Sequence, residues 1–205
     1  MGFPDFFEQA PRIQLYDELA QFLGATPDGL ITYTYADAVR LAGHSCPTVA
    51  GAYLSTIHAL KALYPNETPT RGQISVKMPA PETEGVTGVM AQVCTLLTGA
   101  AGPGGFKGIA GRFRRNELLK YAARNEQSDG IIFQRLDNGK AVKVLFNANT
   151  VPISNEQRMH MGAALSGVAN AEQLQAFAQA WQERVKRLLT EHAWDGETVL
   201  VQPLN

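Results

Sequence analysis

At 205 residues and 22.2 kDa, with 45% hydrophobic residues, the chain is long enough to bury a substantial core in one domain. A formal net charge of -1 and a pI near 6.4 argue against nucleic acid and against a charged membrane surface as partners. No window approaches about 18 consecutive apolar residues, and Met1 to Phe7 shows no cationic stretch leading into an apolar core, so a soluble, cytoplasmic protein is expected.

Two cysteines do not make a secreted disulfide framework, and a reducing compartment leaves Cys46 and Cys94 as thiols. Lys107, Arg112, Arg114 and Arg115 make the dense basic cluster, expected to be a solvated face beside a loop rather than the alternative, a phosphate or anion site.

Ala10 to Leu23 reads as an amphipathic helix, with Pro11 at its first position, Ile13, Tyr16, Leu19, Ala20 and Leu23 on one face, and Gly24 as C-cap. Leu30 to Tyr35 suits a short strand and Ala36 to Ala42 a short helix. From Pro47 the pattern is strongly helical, with Val49, Ala50, Tyr53, Leu54, Ile57, Leu60 and Leu63 on a broad apolar face until Pro65 stops it. A turn over 65–72 leads to the alternation of Gln73 to Met78, a strand ended by Pro79 and Pro81. Val86 to Leu97 is apolar on most sides and reads as a buried helix.

The loop Gly99 to Gly105 allows close backbone approach, so Gly99 and Gly102 are candidate cofactor-binding positions, although the Gly-Lys-Ser/Thr ending of a P-loop is missing. Asn138-Gly139 between Ile131–Leu136 and Ala141–Phe146 is a hairpin signal. Ser154 or Asn155 then caps a helix, Asn170-Ala171-Glu172-Gln173 forms a capping box ahead of a longer one, and Glu197 to Val201 is a last strand. No repeat or low-complexity linker interrupts the chain. The expected fold is α+β, a mostly antiparallel sheet packed against helices in a single compact domain over 1–205.

Reactive side chains concentrate in Gly43-His44-Ser45-Cys46-Pro47. With Pro47 as the first helical residue, Cys46 is the N-cap, where the free backbone N–H groups and the helix dipole favour a thiolate. His44 adds a nitrogen two residues earlier, so the pair is a candidate catalytic couple, or an N/S donor set suited to zinc or another transition metal. The pair is half a zinc site. Cys94 is the first candidate for a third ligand, against the reading that it is a small buried hydrophobe; a ligand from a second copy of the chain is the other way to complete the site. His58 and His160 read as packing or surface residues, and His192 as a helix-end residue. A Cys-Pro dipeptide also admits a haem thiolate contact, with His44 or Cys46 as axial ligand, a signal of low specificity.

The pattern Gly43-His44-Ser45-Cys46-Pro47, with Gly51 in the following helix, resembles the Gly-His-x-Cys-Pro-Gly signature of the formylmethanofuran dehydrogenase E-subunit family. Gln92 to Gly99, ending Leu-Leu-Thr-Gly, resembles that family's helix before its glycine-rich turn, and Phe133 to Val144 resembles its later strand pair. The resemblance covers roughly residues 36 to 147, the core domain without the C-terminal zinc finger. It implies an α+β core, a homodimer, and a cleft in which His44 and Cys46 bind a metal. The chain departs from the pattern at Thr48, where the family has glycine after the proline, and at Val89 and Gln92, where its helix commonly carries a cysteine and an aspartate. The expected function is a metal-binding domain that binds or transforms a small molecule, with a non-catalytic cofactor-binding or redox- or haem-sensing accessory module as the alternative.

Overall fold

Most of the fold is arranged around one helix, α3 (Pro47–Leu63), which is buried nearly all round. A computed structural model describes residues 2–126 and 128–204. In chain order the other elements are β1 (Ile13–Tyr16), α1 (Glu18–Phe22), β2 (Leu30–Tyr33), α2 (Tyr35–Ala42), β3 (Ile74–Met78), α4 (Thr87–Thr98), β4 (Leu119–Tyr121), β5 (Ile131–Arg135), β6 (Ala141–Phe146), α5 (Asn155–Leu165), α6 (Ala171–Leu189) and β7 (Val199–Leu204). The fold is α+β.

A five-stranded sheet runs in the order β4-β3-β5-β6-β7. Its pairs are antiparallel except β3 with β4, which is parallel. The Asn138-Gly139 hairpin sets the β5–β6 register, Ile131 opposite Val144 and Gln134 opposite Ala141, with Gly139 at a left-handed φ of 72°. β3 and β5 bury alternate residues, as a sheet with one covered face requires. α3 lies on that face, against β5, β6 and β7, and α2, α4 and α6 pack around it. Close approach needs small residues. At Gly51 a Cβ would stand 2.3 Å from the Phe146 ring, so the ring of β6 rests directly on the α3 backbone.

The N-terminal segment is a correction to the amphipathic helix expected over Ala10–Leu23. Ile13 and Leu15 are buried at period two and pair with β2, Ile13 opposite Tyr33 and Tyr16 opposite Leu30. Only then does a one-turn helix begin, because Asp17 caps it: Oδ1 accepts the N–H groups of Leu19 and Ala20 at 3.0 and 3.1 Å. Leu23, the end of the expected apolar stripe, is 63% exposed. The short parallel strand β4, absent from the sequence expectation, closes the sheet's edge.

The basic cluster also needs correction at one member. Lys107, Arg112 and Arg114 line the exposed loop side, but Arg115 is buried and its Nη2 donates to Asp17 Oδ1 at 2.6 Å. Arg71 Nη1 donates to the other carboxylate oxygen at 2.9 Å, and its Nε and Nη2 donate to the Leu96 carbonyl. Gly72 makes room for this: a Cβ there would lie 1.2 Å from Arg115 Nη1, and its φ of +84° already favours glycine. Burial alone pushes the Asp17 carboxyl up, but the Arg71 hydrogen bond, the Arg115 charge and the Ala20 N–H together outweigh it and hold it below the usual carboxylate range.

Because the Asp17 pKa is lower folded than unfolded, its contribution is complete above the unfolded value of about 4 and is lost as pH falls through the folded value. Asp17→Asn should therefore cost about 3–5 kcal/mol at pH 7, leaving two guanidinium groups without their counter-charge. Urea denaturation at pH 7 and pH 3 checks this: the gap between wild type and variant narrows at pH 3, and an equal gap at both pH values contradicts the assignment.

Candidate functional site

Gly43–Pro47 is the joint between α2 and α3. α2 is entered through Thr34, whose backbone N–H and Oγ1 both donate to Asp37 Oδ2, at 2.8 and 2.9 Å. It ends at Gly43, with a φ of 75° and its N–H donating to Val39 O at 2.8 Å. α3 then opens as its sequence indicates. Cys46 is extended and caps the helix, its Sγ accepting the Val49 N–H at 3.5 Å, and Pro47 occupies the first turn.

The turn between the helices is held from three sides. The Tyr35 hydroxyl lies 3.0 Å from Ser45 Oγ, and Trp181 Nε1 and Gln182 Nε2 of α6 both donate to the Ser45 carbonyl at 3.1 Å. Tyr35 is itself fully buried against Phe7 and Tyr53. Burial raises its hydroxyl pKa, so it is neutral at ordinary pH. His44 and Cys46, either side of Ser45, are thus carried on an immobilised turn.

His44 is exposed, and its Nδ1 lies 3.0 Å from the Ala42 carbonyl. A carbonyl only accepts, so Nδ1 donates to it, and in the neutral ring Nε2 is then the nitrogen with the lone pair that a metal or a proton donor would meet. Histidines that bind metals are commonly held in the same way, the ring N–H turned to a carbonyl and the opposite nitrogen left to the metal. Cys46 is half-buried and Cys94 fully buried, and both are free thiols.

Cys94 belongs to the interior of α4. Its Sγ lies 3.5 Å from the Thr56 hydroxyl of α3, and burial pushes the thiol up to about 11. It does not gather with His44 and Cys46: among the described residues no group of three or more His, Cys, Asp or Glu side chains is placed to hold a metal ion. His58 Nε2 lies 2.7 Å from the Ala193 carbonyl, to which it donates, and the ring sits beside that of Trp194. Burial there lowers its pKa. His160 and His192 face Glu156 and Asp195.

Gly99 is the left-handed C-cap of α4, at φ 74°, with the Arg71 and Arg115 side chains against it. Gly102 lines a cavity of about 460 Å³ together with Arg71, Glu82, Gln92, Thr95 and Tyr121. Another cavity, of about 320 Å³, begins at Pro47 and Thr48, immediately after Cys46, and runs along α3 to Ser55 between Met90 of α4, Ile131 of β5 and Phe146 of β6. The two share no lining residue.

Sequence reasoning missed the clamp on Ser45 and the part played by Ser55. The first joins residues more than a hundred positions apart and leaves no local signal. The second had one: Thr48, Gly51 and Ser55 recur at helical spacing within an apolar helix.

The two thiols should separate cleanly under alkylation. Iodoacetamide at pH 8 followed by peptide mass mapping is expected to label Cys46 in the folded protein and Cys94 only after denaturation; equal labelling of both when folded contradicts the assigned burial. No family model matches the chain, and no curated protein matches it.

Proposed function

We propose that the chain is a small-molecule-binding domain with a transition-metal centre, zinc by preference, built on His44 and Cys46 and completed within a homodimer. The observation that carries this reading is the fixed presentation of two unlike donors. His44 is held by the Ala42 carbonyl so that Nε2 is the basic nitrogen, and Cys46 is held at the start of α3. An imidazole nitrogen and a thiolate sulfur suit zinc in kind.

They do not suffice in number. Zinc takes three protein ligands in a catalytic site and four in a structural one, and among the described residues of one chain no group of three donors is placed to hold it. Cys94, committed to Thr56 in the interior, is not the third. The remaining donors come from a second copy of the chain or from the bound molecule. A dimer is supported by the apolar side chains exposed on and between α5 and α6, where Met159, Leu165 and Val168 are 65%, 82% and 77% exposed. The cavity beginning at Pro47 is the place for the small molecule, next to the donors in sequence.

Kinship with the formylmethanofuran dehydrogenase E-subunit core rests on the sequence resemblance of Gly43–Pro47 and the helix after it, and free thiols suit a reducing, cytoplasmic setting. No helix among the described residues is long and apolar enough to cross a membrane.

Elemental analysis of protein purified without added metal, paired with light scattering, tests the reading. Stoichiometric metal in a dimer is expected, lost in a His44→Ala, Cys46→Ala double variant and kept in Cys94→Ser. Absence of metal from the wild-type protein, or its loss in Cys94→Ser alone, sinks the assignment.

A further inference from the structure

Ser55 sits in the middle of α3, 1% exposed, and its hydroxyl has no hydrogen-bond partner among the described residues. The neighbouring residue shows what a helical hydroxyl ordinarily does: Thr56 Oγ1 donates to the Ala52 carbonyl at 2.8 Å. Thr98 does the same on α4, donating to Cys94 O at 2.7 Å. Ser55 makes no such bond to Gly51. It instead forms part of the wall of the 320 Å³ cavity.

An orphaned buried hydroxyl is costly, and a group that enters the cavity and pairs with it removes that cost. The rest of the wall says what kind of molecule can do so. Pro47, Val86, Met90, Ile131, Val144 and Phe146 are apolar. The single ionisable side chain among the described lining residues, Asp129, is exposed and already engaged by Lys143 at 2.9 Å. A charged group brought down to Ser55 would be desolvated with no counter-charge. The volume is at the low end for small-molecule sites.

We propose that this cavity takes a small neutral molecule with an apolar body and one hydroxyl or carbonyl group, which pairs with Ser55 Oγ. The inference rests on the reading of the cavity as the small-molecule site and adds the ligand's chemical class. Phe146 fixes the body of the ligand from one side, since its ring is seated on Gly51, one turn before Ser55. Thr48, a turn further toward the helix start, is the second hydroxyl in the wall.

Phenol, toluene and benzoate, of similar size and differing in the one polar group, test the class by NMR titration of the full chain. Phenol is expected to bind about tenfold more tightly than toluene. Benzoate is expected to be weaker than phenol. The shifted amides should be those of Thr48, Ser55, Ile131 and Phe146. Ser55→Ala should abolish the preference for phenol over toluene and, by removing the orphaned hydroxyl, raise the melting temperature of the ligand-free protein by about 2 °C or more.

Equal binding of phenol and toluene, tighter binding of benzoate, or shifts confined to other residues overturns the proposal. So does a Ser55→Ala variant that melts lower and keeps the preference. The His44→Ala, Cys46→Ala variant keeps the phenol preference on this proposal. Failure of the metal centre and failure of the cavity's chemistry are therefore distinguishable: the first is read by elemental analysis, the second by the phenol-to-toluene ratio.

Discussion

Burial of α3 on nearly every side is the constraint from which the remaining structure follows. A helix surrounded by a sheet and three other helices cannot carry large side chains at every crossing, and α3 meets the requirement with Ala50, Gly51, Ala52 and Ala59 among its buried residues. Where Gly51 leaves the backbone bare, Phe146 comes down onto it. The same environment makes each polar group on α3 consequential, because its surroundings are protein rather than water. Thr56 answers this by bonding to the Ala52 carbonyl and to Cys94, whereas Ser55 has no such partner and faces a cavity. Two adjacent hydroxyls on one helix thus have different fates: one is satisfied within the fold, and the other is left without a partner beside a cavity.

A buried helix must also have its first turn satisfied, since the leading N–H groups find no intrahelical acceptor. Cys46 supplies one acceptor and Pro47 removes one donor. This would be a weak arrangement if the turn before it were free to move. Trp181 and Gln182 prevent that by fixing the Ser45 carbonyl from α6, a helix whose final turns are locked into the core through Val185, Leu188 and Leu189. The turn over Gly43–Pro47 is therefore tied to the packing of the last helix. Precision at His44 and Cys46 is a property of the whole core.

The parts legible in sequence were those in which one local cause decides the outcome. Asn138-Gly139 fixed a hairpin, Pro47 after Cys46 fixed a helix start, and Asn170 with Gln173 fixed a capping box, whose two reciprocal bonds are both 2.9 Å. The N-terminal segment misled because Ile13, Tyr16, Leu19, Ala20 and Leu23 fit a helical stripe, while Ile13 and Leu15 fit a strand equally well. Pairing with β2 decided between them, and that partner lies outside any local window. Arg115 was opaque for a related reason. Its neighbours Arg112 and Arg114 belong to the solvated loop, and only the carboxylate of Asp17, 98 residues away, distinguishes it.

The two cysteines carry the same logic into the candidate site. Composition treats them alike, and a donor count that needs three ligands readily recruits Cys94 as the third. Its position argues against the role: Cys94 lies in the interior of α4 beside Thr56, and among the described residues it does not gather with His44 and Cys46 into a group of three donors. Cys46, half-buried at a helix start two residues from a histidine whose Nδ1 is already committed, has no such obstacle. What separates the two thiols is access to water and a histidine two residues away. On the proposed metal reading, the remaining donors would have to come from outside the chain, from a second copy or a bound molecule.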